Sequence, residues 1–221
     1  MVVEIQAAIR AARPDLPLIK YVGPQVWASR PGRARTLAGA VDHLLALYGF
    51  DAPWFEREGL PTTVVGSSAL HVNVDAANGA AFRERRGIAA DAQLLLVLPG
   101  SRPSEITRMA PVYEATVRKL KTTNPGLEVA VVAAGTVAHD VAGRVAAWPF
   151  RVHLVDEAEK YDARRAATVA LATSGTVSTE LALAGVPMVI AYKIDGLSYQ
   201  LMKRFVTAKH ITLFNVAADD R

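Results

Sequence analysis

Short apolar runs rich in Val, Ile and Leu alternate along the chain with longer segments whose apolar residues recur at helical spacing. Runs of this kind, bounded by turn-forming residues, are typical of β-strands. After an opening helix, we predict strands at Leu16–Val22, His43–Leu47, Thr62–Val65, Leu94–Leu98, Glu128–Val132, Val152–Val155, Val169–Ala172 and Pro187–Ala191. We predict helices at Ala52–Glu58, Ala80–Arg86, Pro103–Thr122, Ala138–Ala147, Glu157–Ala166, Val177–Ala184 and Leu197–Phe205. Because the strands are apolar throughout rather than alternating, they predict parallel sheets covered on both faces, a doubly wound α/β fold.

The predicted elements divide unevenly along the chain. From about Leu94 onward, five strand and helix pairs follow one another, enough for one near-complete Rossmann-like sheet, whereas the first 66 residues supply three strands. The segment Gly66–Gly79 contains several Ser and Asn residues and has no clear periodicity, which is typical of a linker. We therefore predict the C-terminal part of one α/β domain over residues 1–72 and a Rossmann-like domain, incomplete at its C-terminus, over residues 73–221.

The composition narrows the chemistry that the chain can use. The 221 residues include no cysteine, which excludes disulfides, a thiolate nucleophile and cysteine-ligated metal sites. The five histidines lie far apart without the spacing of metal ligands, and we predict no metal site. Any catalysis is therefore expected to use oxygen and nitrogen groups.

Charge and hydropathy constrain the partners. Lys and Arg number 25 against 21 acidic residues, the two signs are interspersed, and only 7% of residues are aromatic, so we predict no nucleic acid partner. The net charge of +4 permits anionic partners without selecting among them. The uncharged stretches are too short to span a bilayer, and the N-terminus lacks the basic and apolar regions of a secretion signal. We therefore expect a cytoplasmic protein.

The sharpest motif follows the first strand of the second half and opens a long helix. Gly100 allows close approach of the backbone, Ser101 is a good N-cap residue and Pro103 suits the first helical turn. Free N–H groups at such a helix end bind anions, and the planar guanidinium of Arg102 can hold a phosphate through two hydrogen bonds. The same residues also suit an ordinary strand-to-helix turn, and the pattern leaves both interpretations open.

A second polar turn joins a strand to a helix at Ser174, Gly175 and Thr176. Their backbone N–H and hydroxyl groups can bind a phosphate, and Glu180, one helical turn further on, is placed to accept hydrogen bonds from a ribose diol. Two anion-binding turns on one sheet suggest a nucleotide diphosphate. Alternatively, Glu180 completes a capping arrangement and interacts with the helix dipole.

Several common motifs are absent from the sequence. Without Gly-x-Gly-x-x-Gly a dinucleotide cofactor is disfavoured, and without Gly-Lys-Ser/Thr a P-loop nucleotide hydrolase is disfavoured. Neither a Gly-x-Ser-x-Gly elbow nor a His-Glu-x-x-His metal motif occurs. We accordingly predict no bound cofactor.

Taken together, these residues resemble the lipid-A-disaccharide synthase family, inverting glycosyltransferases of the GT-B architecture. The resemblance runs over essentially the whole chain and rests on three groups of residues, namely Tyr21–Ala28, Leu98–Arg102 with Glu105–Ile106, and Ser174–Thr176 with Glu180–Val189 and Tyr192. It implies an α/β, GT-B-like fold in which residues 1–72 belong to the acceptor-side domain. Residues 73–221 would then form the domain that binds the nucleotide sugar.

The resemblance also implies an activity. The family transfers 2,3-diacylglucosamine from its UDP derivative to 2,3-diacylglucosamine 1-phosphate, giving lipid A disaccharide 1-phosphate and UDP, so that the UDP-sugar is a substrate rather than a cofactor. A protein acting on such acylated sugars is expected to associate peripherally with the cytoplasmic membrane. By resemblance, the UDP-binding residues are Gly100, Ser101, Arg102, Ser174, Gly175, Thr176 and Glu180, and the catalytic residues are Arg102 and Asn215.

The sequence departs from the family pattern on the acceptor side. The family's glycine-rich opening loop and the Asp-containing stretch that supplies a candidate general base do not occur, and the C-terminal helices are cut short at Arg221, so we expect a partial chain. Two alternatives stay open. One is another UDP-sugar enzyme of the same fold, such as a 2-epimerase or a hexosaminyltransferase, and the other is a non-catalytic UDP-binding fragment.

Overall fold

The structure is a computed structural model that describes residues 2–27, 30–71 and 76–194. These residues divide into two compact units, and the division between them falls between His71 and Val72. It therefore lies inside the predicted linker, Gly66–Gly79. The predicted domains 1–72 and 73–221 stay a prediction, because residues 195–221 lie outside the described residues, and so does the predicted helix Leu197–Phe205.

The first unit contains a three-stranded parallel sheet with strand order β1-β2-β3. Its elements are α1 (Val2–Ala12), β1 (Ile19–Tyr21), α2 (Arg33–Ala38), β2 (His43–Ala46), α3 (Ala52–Glu56), β3 (Thr62–Val64) and a 3-10 helix (Ser68–His71). Leu44 of β2 and Phe55 of α3 are fully buried in its core. Strand β1 is shorter than predicted because Leu18 donates its N–H to the Asp42 carboxylate rather than to a strand, and Val22 (φ 67°) leaves the extended conformation.

The second unit contains a five-stranded parallel sheet with strand order β6-β5-β4-β7-β8. Its elements are α4 (Gly79–Arg86), β4 (Leu94–Leu98), α5 (Pro103–Thr123), β5 (Glu128–Val132), a 3-10 helix (Gly135–Val137), α6 (Ala138–Ala146), β6 (His153–Val155), α7 (Lys160–Ala166), β7 (Val169–Thr173), α8 (Val177–Leu183) and β8 (Met188–Ala191). All strand pairs are parallel, as predicted from the continuous apolar runs. Every residue of the central strand β4 is buried.

Helices cover both faces of the second sheet. On one face, Val97 of β4 belongs to a core cluster with Ile106 and Tyr113 of α5. On the other face, Leu96 of β4 belongs to a cluster with Leu181 of α8, and residues of α4 and α7 join it. Side chains that alternate along β4 therefore enter two separate cores, and this is why the strand is apolar at every position.

The strand order reverses at β4. From β4 the chain proceeds to β5 and β6 on one side, and then returns to β7 and β8 on the other side. Helices α5 and α8, which follow β4 and β7, consequently cover opposite faces of the sheet. The register pairs Leu98 of β4 with Ala172 of β7, so the carboxyl ends of these strands are neighbours. In doubly wound folds, a reversal of this kind opens a crevice where ligands bind.

Candidate functional site at the strand reversal

The turn after β4 brings the backbone unusually close to the Glu105 side chain. Gly100 has φ +124°, a conformation that L residues rarely adopt, and a Cβ added to it would lie 2.7 Å from both Cβ and Oε2 of Glu105. Only glycine leaves room for that carboxylate. The predicted close approach at Gly100 is therefore present, and the group that approaches is a side chain of the same turn.

The Glu105 carboxylate occupies the N-terminal end of α5. Its Oε2 accepts hydrogen bonds from the backbone N–H groups of Ser101 (2.9 Å) and Arg102 (3.3 Å). Arg102 is the N-cap residue, which corrects the expectation that Ser101 caps the helix. The two amides were expected to be free for an anion, and they are instead bonded to Glu105. Burial raises the pKa of Glu105, but the bonds from Ser101 and Arg102 outweigh it and the net pKa is lowered.

Arg102 is anchored on one side and open on the other. Its Nη1 donates to Oε1 of Glu105 at 2.6 Å, while its side chain is 75% exposed. A guanidinium carries five N–H donors in a planar fork. The ion pair uses one edge of that fork, and the exposed remainder is available to an anion that approaches from solvent.

The second turn, between β7 and α8, offers two backbone donors rather than three. The N–H of Ser174 is used by the sheet, since it donates to the carbonyl of Ala191 at 3.1 Å. The amides of Gly175 and Thr176 have no acceptor among the described residues. The hydroxyl of Ser178 donates to the Gly175 carbonyl at 2.7 Å and fixes the turn from within the helix.

Glu180 forms an ion pair with a residue that the sequence pattern did not single out. Oε2 of Glu180, in the first turn of α8, lies 2.5 Å from Nη1 of Arg164 on α7. The Arg164 side chain is 4% exposed and that of Glu180 is 21% exposed. Arg164 and Arg165 are adjacent in the sequence, and the sequence pattern does not show which of them is buried. In the structure α7 packs on the sheet so that Arg164 is buried and Arg165 is exposed.

Two further side-chain contacts support the turns, and neither was predicted. The buried hydroxyls of Tyr113 on α5 and Thr173 at the end of β7 lie 3.0 Å apart, and burial raises the pKa of Tyr113 to about 12. Thr136, in the turn after β5, donates its hydroxyl to the carbonyl of Ser101 at 3.1 Å. These contacts connect the turns at the carboxyl edge to one another and to the sheet.

The structure thus brings Gly100, Ser101 and Arg102 to the same edge as the turn Ser174–Thr176. Asn215 lies outside the described residues. Within the described ranges, no group of three or more His, Asp or Glu residues could hold a metal ion. Among the helices that the structure describes, none is long and apolar enough to cross a membrane.

Solved structures share the architecture. The chain is similar to UDP-GlcNAc 2-epimerase from Neisseria meningitidis bound to UDP-GlcNAc, with TM-score 0.58, 12% identity, and coverage of 87% of this chain and 57% of that one. It is also similar to the S. aureus MnaA–UDP co-structure, with TM-score 0.57, 14% identity, and coverage of 99% and 68%. At such low identity these likenesses concern the fold alone, and they confirm the expected α/β, GT-B-like class.

Sequence comparison is more specific. Lipid-A-disaccharide synthase from Rhodospirillum centenum is 48% identical over 216 residues, covering 97% of this chain and 54% of that protein. The enzyme of the same name from Paramagnetospirillum magneticum is 42% identical over 218 residues, covering 98% and 56%. The chain therefore spans about half the length of these relatives. A family model described as lipid-A-disaccharide synthetase matches residues 1–221, and this match establishes that the chain belongs to the lipid-A-disaccharide synthetase family.

Proposed function

We propose that the protein acts in lipid A biosynthesis as a glycosyltransferase. It transfers 2,3-diacylglucosamine from UDP-2,3-diacylglucosamine to 2,3-diacylglucosamine 1-phosphate, giving lipid A disaccharide 1-phosphate and UDP. The observation that carries the proposal is the pair of polar turns at the carboxyl ends of β4 and β7, one of which bears the exposed guanidinium of Arg102. Family membership then selects this reaction among those of UDP-sugars.

The chemistry of the turns suits departure of a nucleoside diphosphate. In the transfer, the acceptor hydroxyl loses its proton to a general base and its oxygen forms a bond to the anomeric carbon. The bond from that carbon to the diphosphate oxygen breaks at the same time, and negative charge develops on UDP. Arg102 is the cationic donor at the first turn, and the amides of Gly175 and Thr176 are the neutral donors at the second. Donors aimed at developing charge are among the largest contributions to catalysis.

The Glu105 carboxylate determines which groups of the first turn a phosphate can contact. Since Glu105 already accepts the N–H groups of Ser101 and Arg102, a phosphate at this turn would meet the guanidinium rather than those amides. Gly100 and Ser101 then contribute by shaping the turn and presenting Arg102. In this proposal Arg102 and Asn215 are the catalytic residues, and the donor is a substrate without a separate cofactor.

Glu180 is proposed to bind the ribose of the uridine. It lies one helical turn beyond Ser174–Thr176, and a carboxylate can accept hydrogen bonds from both ribose hydroxyls. The acyl chains of the donor and acceptor place the reaction at a lipid surface, so we also propose peripheral association with the cytoplasmic face of the inner membrane.

The test is a transfer assay with UDP-2,3-diacylglucosamine and 2,3-diacylglucosamine 1-phosphate in mixed micelles, with UDP release and the disaccharide product measured by mass spectrometry. Because the chain spans about half of its relatives, the assay uses both the 221-residue chain and a chimera that takes the flanking residues from the Rhodospirillum centenum enzyme. We expect equimolar UDP and disaccharide from the chimera.

Three results would contradict the proposal. UDP binding without transfer in both proteins would favour a binding module. Epimerisation of UDP-GlcNAc without dependence on acyl chains would favour a different UDP-sugar enzyme. Failure of both proteins to bind UDP in a calorimetric titration would remove the nucleotide site itself.

A further inference from the structure

Arg164 is a buried cation to which the proposed function assigns no role so far. Its side chain is 4% exposed, and its guanidinium carbon lies 4.9 Å from the centre of the Tyr161 ring. A guanidinium at this depth requires a counter-charge, because burial removes its hydration. The carboxylate of Glu180, at 2.5 Å, supplies that charge.

The Arg164–Glu180 pair is poorly arranged as a stabilising interaction. Although Nη1 of Arg164 lies close to Oε2 of Glu180, neither Nη1 nor Nε has an acceptor in hydrogen-bonding geometry within the described residues. Burying a charge with incomplete hydrogen bonding costs free energy that the ion pair only partly returns. An apolar side chain of similar volume would serve the packing of α7 against the sheet at least as well.

The pair does restrain Glu180. Among the residues that the structure describes, Lys160 also interacts with Glu180 electrostatically but is itself paired with Glu157, whereas Arg164 is in direct contact with Glu180. The ion contact holds Oε2 of Glu180 next to the buried guanidinium, and the Glu180 side chain is still 21% exposed. The carboxylate is thus restrained on its inner side and remains accessible to a ligand from solvent.

We infer that Arg164 is a positioning residue that fixes the orientation of Glu180 for accepting the hydroxyls of a ribose diol. The inference rests on the proposed function, in which Glu180 binds the ribose of UDP. Arg164 itself does not touch the nucleotide. Its removal should therefore impair recognition of the diol rather than of the diphosphate.

The experiment compares calorimetric affinities for UDP and 2′-deoxy-UDP, which differ by one ribose hydroxyl. We expect the wild type to prefer UDP by about tenfold, the range of a hydrogen bond to a charged group. The double variant Arg164→Met/Glu180→Ala, which leaves no buried charge unpaired, should abolish the preference. Arg164→Met should also lose most of it while 2′-deoxy-UDP binds as before. Arg164→Met leaves the carboxylate of Glu180 without its counter-charge, so its unfolding temperature should fall, and the double variant, which removes both charges, should recover much of that loss. Arg164→Lys should recover part of the preference.

The neighbouring exposed Arg165 gives a matched control, since Arg165→Met should change neither affinity. A wild-type preference that survives in Arg164→Met but disappears in the double variant Arg164→Met/Glu180→Ala would overturn the inference and leave the role of Glu180 intact. If the wild type binds UDP and 2′-deoxy-UDP equally, the role of Glu180 fails and the inference fails with it. Should Arg164→Met not fold, Arg164→Gln takes its place with the same expected loss.

Discussion

Nη1 of Arg102 lies 2.6 Å from Oε1 of Glu105, so the cation at the first turn is held by a carboxylate of its own helix. The same carboxylate accepts the backbone N–H groups of Ser101 and Arg102. Side chain and backbone of the turn are therefore organised before any ligand arrives. Donors that are already in place cost little reorganisation when charge develops on a leaving group.

Replacing Arg102 with alanine should reduce turnover strongly. Loss of one donor that stabilises developing charge lowers kcat by about 100- to 1000-fold. Steady-state kinetics of UDP release from the chimera would measure the effect. Arg118, an exposed arginine further along α5 that pairs with Glu114, gives the control, because Arg118→Ala should leave kcat unchanged. Normal turnover in Arg102→Ala would remove Arg102 from the catalytic machinery.

Glu105→Gln should destabilise the protein and make its unfolding free energy depend less on pH in the acid range. Hydrogen bonds to a charged group contribute about 1.5–3 kcal/mol, and glutamine lacks the charge. Because the folded pKa of Glu105 is lowered, its stabilisation is present above the unfolded value and is lost as pH falls through the folded pKa. Denaturant unfolding from pH 7 down to pH 3 should show a smaller loss of unfolding free energy for Glu105→Gln than for the wild type. Parallel curves would contradict the assigned contacts.

The Tyr113–Thr173 hydrogen bond should show strong coupling in a double-mutant cycle. Each single change, Tyr113→Phe or Thr173→Val, leaves one buried hydroxyl without its partner and should cost about 1–3 kcal/mol. The double variant removes both hydroxyls and should cost less than the sum of the single variants. Unfolding free energies of the four proteins measure the coupling. Additive losses would mean that the two hydroxyls do not interact.

Gly100→Ala should be destabilising, whereas the same change at Gly143 should not. At position 100 the new methyl group would lie 2.7 Å from Glu105, and the alanine would have to adopt a positive φ. Such a backbone conformation costs about 1–3 kcal/mol. At Gly143, within α6, the added Cβ would meet nothing within 4 Å apart from the backbone of its own helix, and alanine should stabilise by about 0.5–1 kcal/mol. Thermal unfolding of both variants measures the contrast, and equal effects would be inconsistent with the turn geometry.

In the first unit, Asp51→Asn should stabilise the protein at neutral pH. Burial raises the pKa of Asp51, and a hydrogen bond from Trp27 Nε1 at 3.1 Å only partly opposes this. A raised carboxyl pKa means that stability falls as pH rises from the unfolded pKa through the folded one. Asparagine keeps an oxygen for Trp27 without the charge. Unfolding free energies at pH 4 and pH 7 should therefore differ less in the variant, and a lower stability at pH 7 would contradict this assignment.

Much of the second unit follows from local sequence. Strand β4 is apolar at every position and is flanked by Gly100 and Pro103, so its burial, its end and the start of α5 are all predictable from neighbouring residues. The turn at Ser174–Thr176 is equally local, since polar residues after an apolar run end the strand β7. The bounds of the weaker strand β1 were less predictable, because Leu18 bonds to a distant side chain, Asp42.

The distant partners of the site residues could not be inferred from the sequence. Whether Arg164 is buried depends on how α7 packs on the sheet, and its contact with Glu180 joins residues of different helices. The Ser101 N–H donates to Glu105 because the glutamate side chain turns back toward the start of its helix. The sequence is compatible with this side-chain conformation but also with others. Turns and strands depend on residues a few positions apart, and such residues can be read directly from the sequence. Which polar groups meet, and how deeply they are buried, depends on strand order and helix packing, because these bring together residues that are remote in the chain.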